Sequence, residues 1–183
     1  MAFKSRRFAP RLEAFDDRCL PSVSYSEAAN MLFVNTGPEA NEIVITDNGT
    51  DLVVTVDGEA LPVTGDITQV YVDAGAGNDT VVYNLTGTLT ESRLIDVRQG
   101  RGADSFTANL DGQGVADWTS LIISAYGGGG GDSFALNAEG VSTAENSVLN
   151  VYFSGDAGKD TMTFNYLPSI ELGSVSLEKD QRR

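Results

Sequence analysis

Residues 123–138 read "ISAYGGGGGDSFALNA": an alternating apolar piece, five glycines, an aspartate, then a second alternating piece. Glycine loses the most conformational freedom on ordering, so a run of five asks for a reason. The same plan recurs as "VYVDAGAGNDTVVYNL" (70–85), "IDVRQGRGADSFTANL" (95–110) and "VYFSGDAGKDTMTFNY" (151–166). The aspartates that close the four turns are Asp79, Asp104, Asp132 and Asp160, spaced by 25, 28 and 28 residues. The glycine run is one copy of a repeated turn and not a slack linker.

Aligned on the aspartate, the copies share one environment per column, which is what stacked repeats require. Two residues on stand Val81, Phe106, Phe134 and Met162; four on stand Tyr83, Ala108, Leu136 and Phe164. Upstream, Val70, Ile95, Ile123 and Val151, then Val72, Val97, Ala125 and Phe153, repeat the pattern. Period two on both sides of the turn predicts two strands per repeat, each with an inward apolar face. The column Val82, Thr107, Ala135 and Thr163 suits an outer face. Length varies only in the connections 86–92, 111–120 and 139–148, of 7, 10 and 10 residues, as loops tolerate.

A unit this short, without helical periodicity, is too small for a propeller blade. It predicts an all-β fold: a right-handed, single-stranded parallel β-helix of about five coils with 25–28-residue repeats. Five residues after each aspartate stand Asn84, Asn109, Asn137 and Asn165, which stacked coils would align into an amide ladder. Independent asparagines in local turns, on a sheet of antiparallel hairpins, are the alternative. A degenerate first coil fits with Asn41 in the aspartate position, Leu32 and Val34 before it and Ile43 and Ile45 after it. The extra length before Asp79 holds a strand-like piece, "LVVTVDG" (52–58), and "SIELGSVSL" (169–177) suits a last irregular rung. The expected organisation is a basic N-terminal sorting segment or disordered tail (1–22), the β-helix (23–178) and a charged C-terminal tail (179–183).

Charge narrows the partners. Between Ser22 and Glu178 four basic residues, Arg93, Arg98, Arg101 and Lys159, face 22 acidic ones, a net −18. Such a body repels nucleic acid and anionic membranes and favours cations. No stretch reaches the roughly 18 apolar residues of a membrane helix. The chain has no histidine and a single cysteine, Cys19, which removes imidazole-based catalysis, thiolate metal clusters and a disulfide framework.

The repeated turn resembles the haemolysin-type, or RTX, calcium-binding nonapeptide, Gly-Gly-x-Gly-x-Asp-x-apolar-x. "GGGGGDSFA" (127–135) matches throughout; "AGAGNDTVV" (74–82) and "QGRGADSFT" (99–107) miss the first glycine, and "GDAGKDTMT" (155–163) has Asp156 for the second. Family members string such nonapeptides in tandem, whereas this chain has one per longer coil, so at most one row of sites is implied. The resemblance implies Ca2+ held by Asp79, Asp104, Asp132 and Asp160 with Gly75, Gly77, Gly100, Gly102, Gly128, Gly130, Gly155, Asp156 and Gly158. The plain alternative is structural: glycines make the turn, and each aspartate caps N–H groups two residues on while its side chain splays into water.

"RLEAFDDRCLPS" (11–22) resembles the motif Leu-Glu-x-Leu-Glu-Asp-Arg-x-Leu that precedes repeat-rich exported proteins of planctomycete bacteria, with Phe15 and Asp16 for Leu and Glu. That resemblance implies an extracellular or cell-surface location, and a tail or short helix is the alternative. The expected function is a non-catalytic exported or cell-surface β-solenoid binding calcium, with cell-surface polysaccharide or other surface proteins as partners. Two others stand beside it. One is a polysaccharide-acting lyase or glycosidase built on Asp96, Arg98, Arg101 and Asp104 with Arg93. The other is an adhesin or filament subunit joining end to end through open strand edges.

Overall fold

The computed structural model describes residues 22–61 and 66–166, and the backbone of 174–180. The N-terminal segment with Cys19 and the sorting motif lies outside the described residues. All regular structure among them is β. Two sheets of seven strands face each other. In spatial order the first holds Ser22–Ser26, Met31–Asn35, Gln69–Asp73, Arg93–Arg98, Ser120–Tyr126, Val148–Ser154 and Ser174–Asp180. The second holds Glu59–Ala60, Leu52–Val56, Glu42–Asp47, Thr80–Leu85, Ser105–Asn109, Ser133–Ala138 and Thr161–Tyr166.

The chain passes from first to second sheet across each glycine turn, and equivalent residues pair in parallel. Val70, Ile95, Ile123 and Val151 lie side by side, as do Val81, Phe106, Phe134 and Met162. This is a parallel β-helix, and it follows from the columns. A slip of one residue would turn every apolar side chain outward, so the register is fixed by burial. The inward columns are buried, apart from Met162 and Phe164 in the last coil, which are half-buried. Phe106, Phe134, Phe153 and Phe164 interlock through ring centroids 5.3–5.6 Å apart.

The first coil falls where the sequence places it. Leu32 and Val34 pair with Val70 and Val72, and Ile43 and Ile45 with Val81 and Tyr83. The piece at 52–58 folds back antiparallel on Glu42–Asp47, and Ser22–Ser26 does the same on Met31–Asn35. Both sheets thus end on an antiparallel strand at the N-terminal side, which blunts the open edges there. At the other end Ser174–Asp180 adds a parallel rung to the first sheet, as the alternation at 169–177 suggests.

The connections are more ordered than loops. Leu89 bridges Val115, and Gly114–Val115 pairs in parallel with Ser142–Thr143, giving a narrow third wall. Leu89, Val115 and Thr143 are buried, as are Thr119, Val141 and Ser147, so each connection carries inward residues that its length alone does not reveal.

Candidate functional site: the aspartate column

The turns stack as tightly as the sheets. Ala76, Arg101 and Gly129 form parallel bridges, and Gly129–Gly130 pairs with Ala157–Gly158. Two glycine columns make this stacking feasible. Gly75, Gly100 and Gly128 have φ of +86°, +96° and +91°, and a Cβ on each would stand 2.0–2.2 Å from the carbonyl oxygen one coil below. Gly77, Gly102, Gly130 and Gly158 have φ between +115° and +157°, and at the last three a Cβ would meet the preceding column glycine's oxygen at 1.3–1.6 Å. Only glycine satisfies both constraints. Asp156 takes the second turn position of the last coil at φ +56°, a conformation aspartate tolerates, with one oxygen accepting the Ser154 hydroxyl. Gly155 and Gly127 lie close to the aspartate five residues on, whose Oδ2 would stand 2.2 Å from a Cβ there, although Ala74 and Gln99 carry a Cβ at the same position of their coils.

The turn aspartates point inward. Asp79, Asp104 and Asp132 are 1–2% exposed. Each accepts through Oδ1 the backbone N–H of its counterpart one coil below: Asn41 to Asp79 at 2.8 Å, Asp79 to Asp104 at 2.7 Å, Asp104 to Asp132 at 3.0 Å and Asp132 to Asp160 at 2.9 Å. The aspartate therefore caps a neighbouring coil instead of its own turn, and its side chain is buried instead of splayed into water. A stack makes the N–H of the adjacent coil nearer than the one two residues on. At the lower end Asn41 gives its side-chain N–H to Asp57, whose other oxygen accepts the Glu42 N–H. That end opens on a hollow of about 330 Å³ lined by Ala40, Asn41, Glu42, Asp57, Asn78 and Thr80.

The second carboxylate oxygen has a different fate. Oδ2 of Asp79, Asp104 and Asp132 is buried with no hydrogen-bond partner, as is the side-chain amide of Gln99, which fills the first turn position of its coil. Burial pushes the Asp79 carboxyl from 3.8 up to about 6; the Asn41 N–H opposes this, and the charges of Asp104 and Asp57 add to it. Burial also raises Asp104 and Asp132, against the N–H bonds they accept, and the Asp132 carboxyl is raised further by Asp104, Asp160 and Asp156. The turn carbonyls are already engaged: Gly75, Gly100 and Gly128 accept N–H bonds from the next coil. Among the described residues no three carboxylate, histidine or cysteine side chains converge on one point.

The residues considered for polysaccharide cleavage do not assemble. Arg98 and Asp96 face outward from one strand, 3.9 Å apart, with Arg98 stacked over Tyr71. Arg93 points into the core, where its Nε meets Asp47 at 3.0 Å, and Asp104 belongs to the column. Arg101 is exposed in its turn. The Asp47–Arg93 pair escapes sequence reading because its members lie 46 residues apart, each in an otherwise apolar column: Asp47 pairs with Leu85, and Arg93 with Leu121. Asp47 also accepts the Tyr83 hydroxyl and the Gly49 N–H, and Arg93 donates to the Thr50 carbonyl. Burial, then the Asp47 charge, raises the Tyr83 phenol well above its ordinary value.

On the outer face of the second sheet the asparagines do form a ladder. Asn109 donates to Asn84, Asn137 to Asn109 and Asn165 to Asn137, each at 2.8 Å. Beside it runs a hydroxyl row, Thr80, Ser105, Ser133 and Thr161, in which Ser105 donates to Thr80 at 3.2 Å. Compared with family models, curated proteins and solved structures, the chain finds no match. No helix among the described residues is long and apolar enough to cross a membrane.

Proposed function

We propose that the chain is a non-catalytic, exported or cell-surface β-solenoid whose aspartate column takes calcium. The observation that carries this reading is the set of unpartnered Oδ2 atoms on Asp79, Asp104 and Asp132, buried acceptors one above another. Calcium takes six to eight oxygens in loose geometry. The Oδ2 atoms fit it, and the carbonyls of Gly75, Gly100 and Gly128 retain a second lone pair each. The Oδ1 ladder closes the turns without an ion, so bound calcium adds stability to a fold that forms without it. The surface location rests on the resemblance of residues 11–22 and on the acidic body.

Thermal unfolding of the full chain by circular dichroism tests the cation, after chelation and then with millimolar calcium or magnesium. Calcium should raise the midpoint in a concentration-dependent way, and magnesium should not. Coincident melts refute calcium and leave a purely structural solenoid.

One observation favours a second reading, end-to-end association. Among the described residues Thr161–Tyr166 is the last strand of the second sheet, with half-buried Met162 and Phe164, whereas the opposite end is closed by antiparallel strands. Concentration-dependent sedimentation that Phe164→Lys abolishes would support it, and a monomer at all concentrations would end it.

A further inference from the structure

Across its four regular coils the outer face of the second sheet is uncharged on a body of net −18, and the exposed carboxylate of Glu42 stands beside Thr80 at its N-terminal corner. Across its four regular coils run the hydroxyl row, the asparagine ladder and, between them, a row of Val82, Thr107, Ala135 and Thr163. None of these twelve outward positions carries a charge, and all twelve are exposed or half-exposed. The face of the first sheet, by contrast, carries Asp73, Asp96 and Arg98. Toward the N-terminal end the neutral surface continues over Val44 and Thr46 to Val53 and Thr55. Val53 there is 50% exposed.

We propose that this face docks a neutral, hydroxyl-rich polysaccharide lying flat across the coils. Three arguments select that occupant. The surface is a regular array of hydroxyls and amides, about 4.8 Å apart between strands and about 6.8 Å apart along them. Asn109, Asn137 and Asn165 each spend one N–H within the row and retain another for a ligand oxygen, and Asn84 at the end of the ladder only accepts within it. Secondly, the acidic body repels polyanions, and the four regular coils carry no carboxylate on this face to hold a polycation, Glu42 lying at its corner, whereas a neutral polymer brings no charge to desolvate. Thirdly, six strands with up to three outward positions each cover on the order of 500 Å². Two copies pressed face to face would bury roughly 1,000 Å², short of the about 1,200 Å² of a stable interface. A long polymer is not limited this way, because it engages many molecules at once. The cross-tied rows also leave little side-chain freedom to lose on binding.

The proposal does not depend on calcium, so its test is run both with calcium and with chelator. Full-chain protein is incubated with microcrystalline cellulose, with chitin and with an acidic polysaccharide, and the unbound fraction is measured. At least one neutral polymer should deplete the wild type, and Thr107→Lys or Ala135→Lys, each in the middle row, should weaken binding by tenfold or more. Ser124→Lys on the opposite sheet should leave it unchanged. Circular dichroism melts identify any variant that fails to fold, and the two middle-row changes serve as mutual checks. Failure of the wild type to bind either neutral polymer overturns the proposal, as does preference for the acidic one or full binding by folded middle-row variants. A concentration-dependent dimer in sedimentation that Thr107→Lys abolishes would also overturn it, making a second copy the occupant.

Discussion

Replacing Asp104 by asparagine and by alanine separates the two oxygens of its carboxylate. Oδ1 accepts the Asp79 N–H at 2.7 Å, and Oδ2 is buried without a partner. Asparagine keeps the acceptor and removes the charge; alanine removes both. Losing the acceptor strands a buried N–H, which costs about 1–3 kcal/mol. Losing the charge removes a group that burial disfavours, so asparagine should match or exceed the wild type at pH 8 in chelator. Urea unfolding followed by circular dichroism should therefore rank asparagine at or above wild type and alanine below it, with midpoints compared at constant slope. In millimolar calcium the wild type should gain and the asparagine variant gain less. If asparagine is as damaging as alanine, the capping role of Oδ1 is wrong. If it keeps the whole calcium shift, the cation lies outside the column.

In calcium-free protein the raised Asp79 carboxyl stabilises the fold fully below pH 3.8, and this contribution is lost as pH rises through about 6. The shift is worth at most about 3 kcal/mol, and nearer half that with solvent screening, so stability should fall between about pH 4 and 7 and a rising profile would refute it. Within one glycine run, Gly130→Ala should cost several kcal/mol, because φ is +147° and the Gly102 oxygen lies 1.5 Å from the new Cβ. Gly129→Ala, with open space and no positive φ, should be neutral or stabilising by about 0.4–1 kcal/mol, and equal melting of the two variants would contradict the stacking account. Asp47→Leu should destabilise by about 3–5 kcal/mol, because it takes the buried carboxylate from Arg93, the Tyr83 hydroxyl and the Gly49 N–H and leaves Arg93 to half-exposed Glu91, whereas adding Arg93→Leu should recover only the Arg93 part of that loss. Additive losses in that double-mutant cycle would show that the pair is not coupled.

The fold was legible because burial writes the same apolar type at the same column in every coil, from Val70 to Val151 and from Val81 to Met162. The asparagine ladder was legible for a related reason, since only a stack rewards one amide at a fixed register. The third wall was not, because its inward residues are few and partly polar, Leu89 in one connection, Val115 and Thr119 in the next and Val141, Thr143 and Ser147 in the last, and the connections differ in length. The direction of the aspartates was masked by their charge. Asp79, Asp104 and Asp132 stand two residues before inward Val81, Phe106 and Phe134, so the alternation runs through them, but a carboxylate reads as solvent-facing until the neighbouring coil's N–H is there to receive it. Asp47 and Arg93 were hidden more deeply: each breaks an apolar column, and such a break reads as a surface position until the partner across the core is seen.

How the column is neutralised is the question on which its function turns. The charges that act on Asp79 and Asp132 are those of other carboxylates, and Arg93 is tied to Asp47. Lys159, one residue before Asp160, and Arg101, three before Asp104, are the basic residues nearest in sequence, but both stand exposed, while the Oδ2 atoms of Asp79, Asp104 and Asp132 are sealed inside. Among the described residues no basic side chain meets the Oδ2 atoms of Asp79, Asp104 and Asp132, which makes protons and cations the two candidates to neutralise them. A proton serves below about pH 6, where the Asp79 carboxyl is neutral. At higher pH, buried carboxylates stacked about 4.8 Å apart repel one another by roughly 1–4 kcal/mol per neighbour for effective dielectrics from water down to about 20. The two routes separate by pH. If calcium occupies the column, its stabilising effect should be smaller at pH 5, where Asp79 already holds a proton, than at pH 8. An effect equal at both values would place the ion on carboxylates that are ionised throughout, away from these turns.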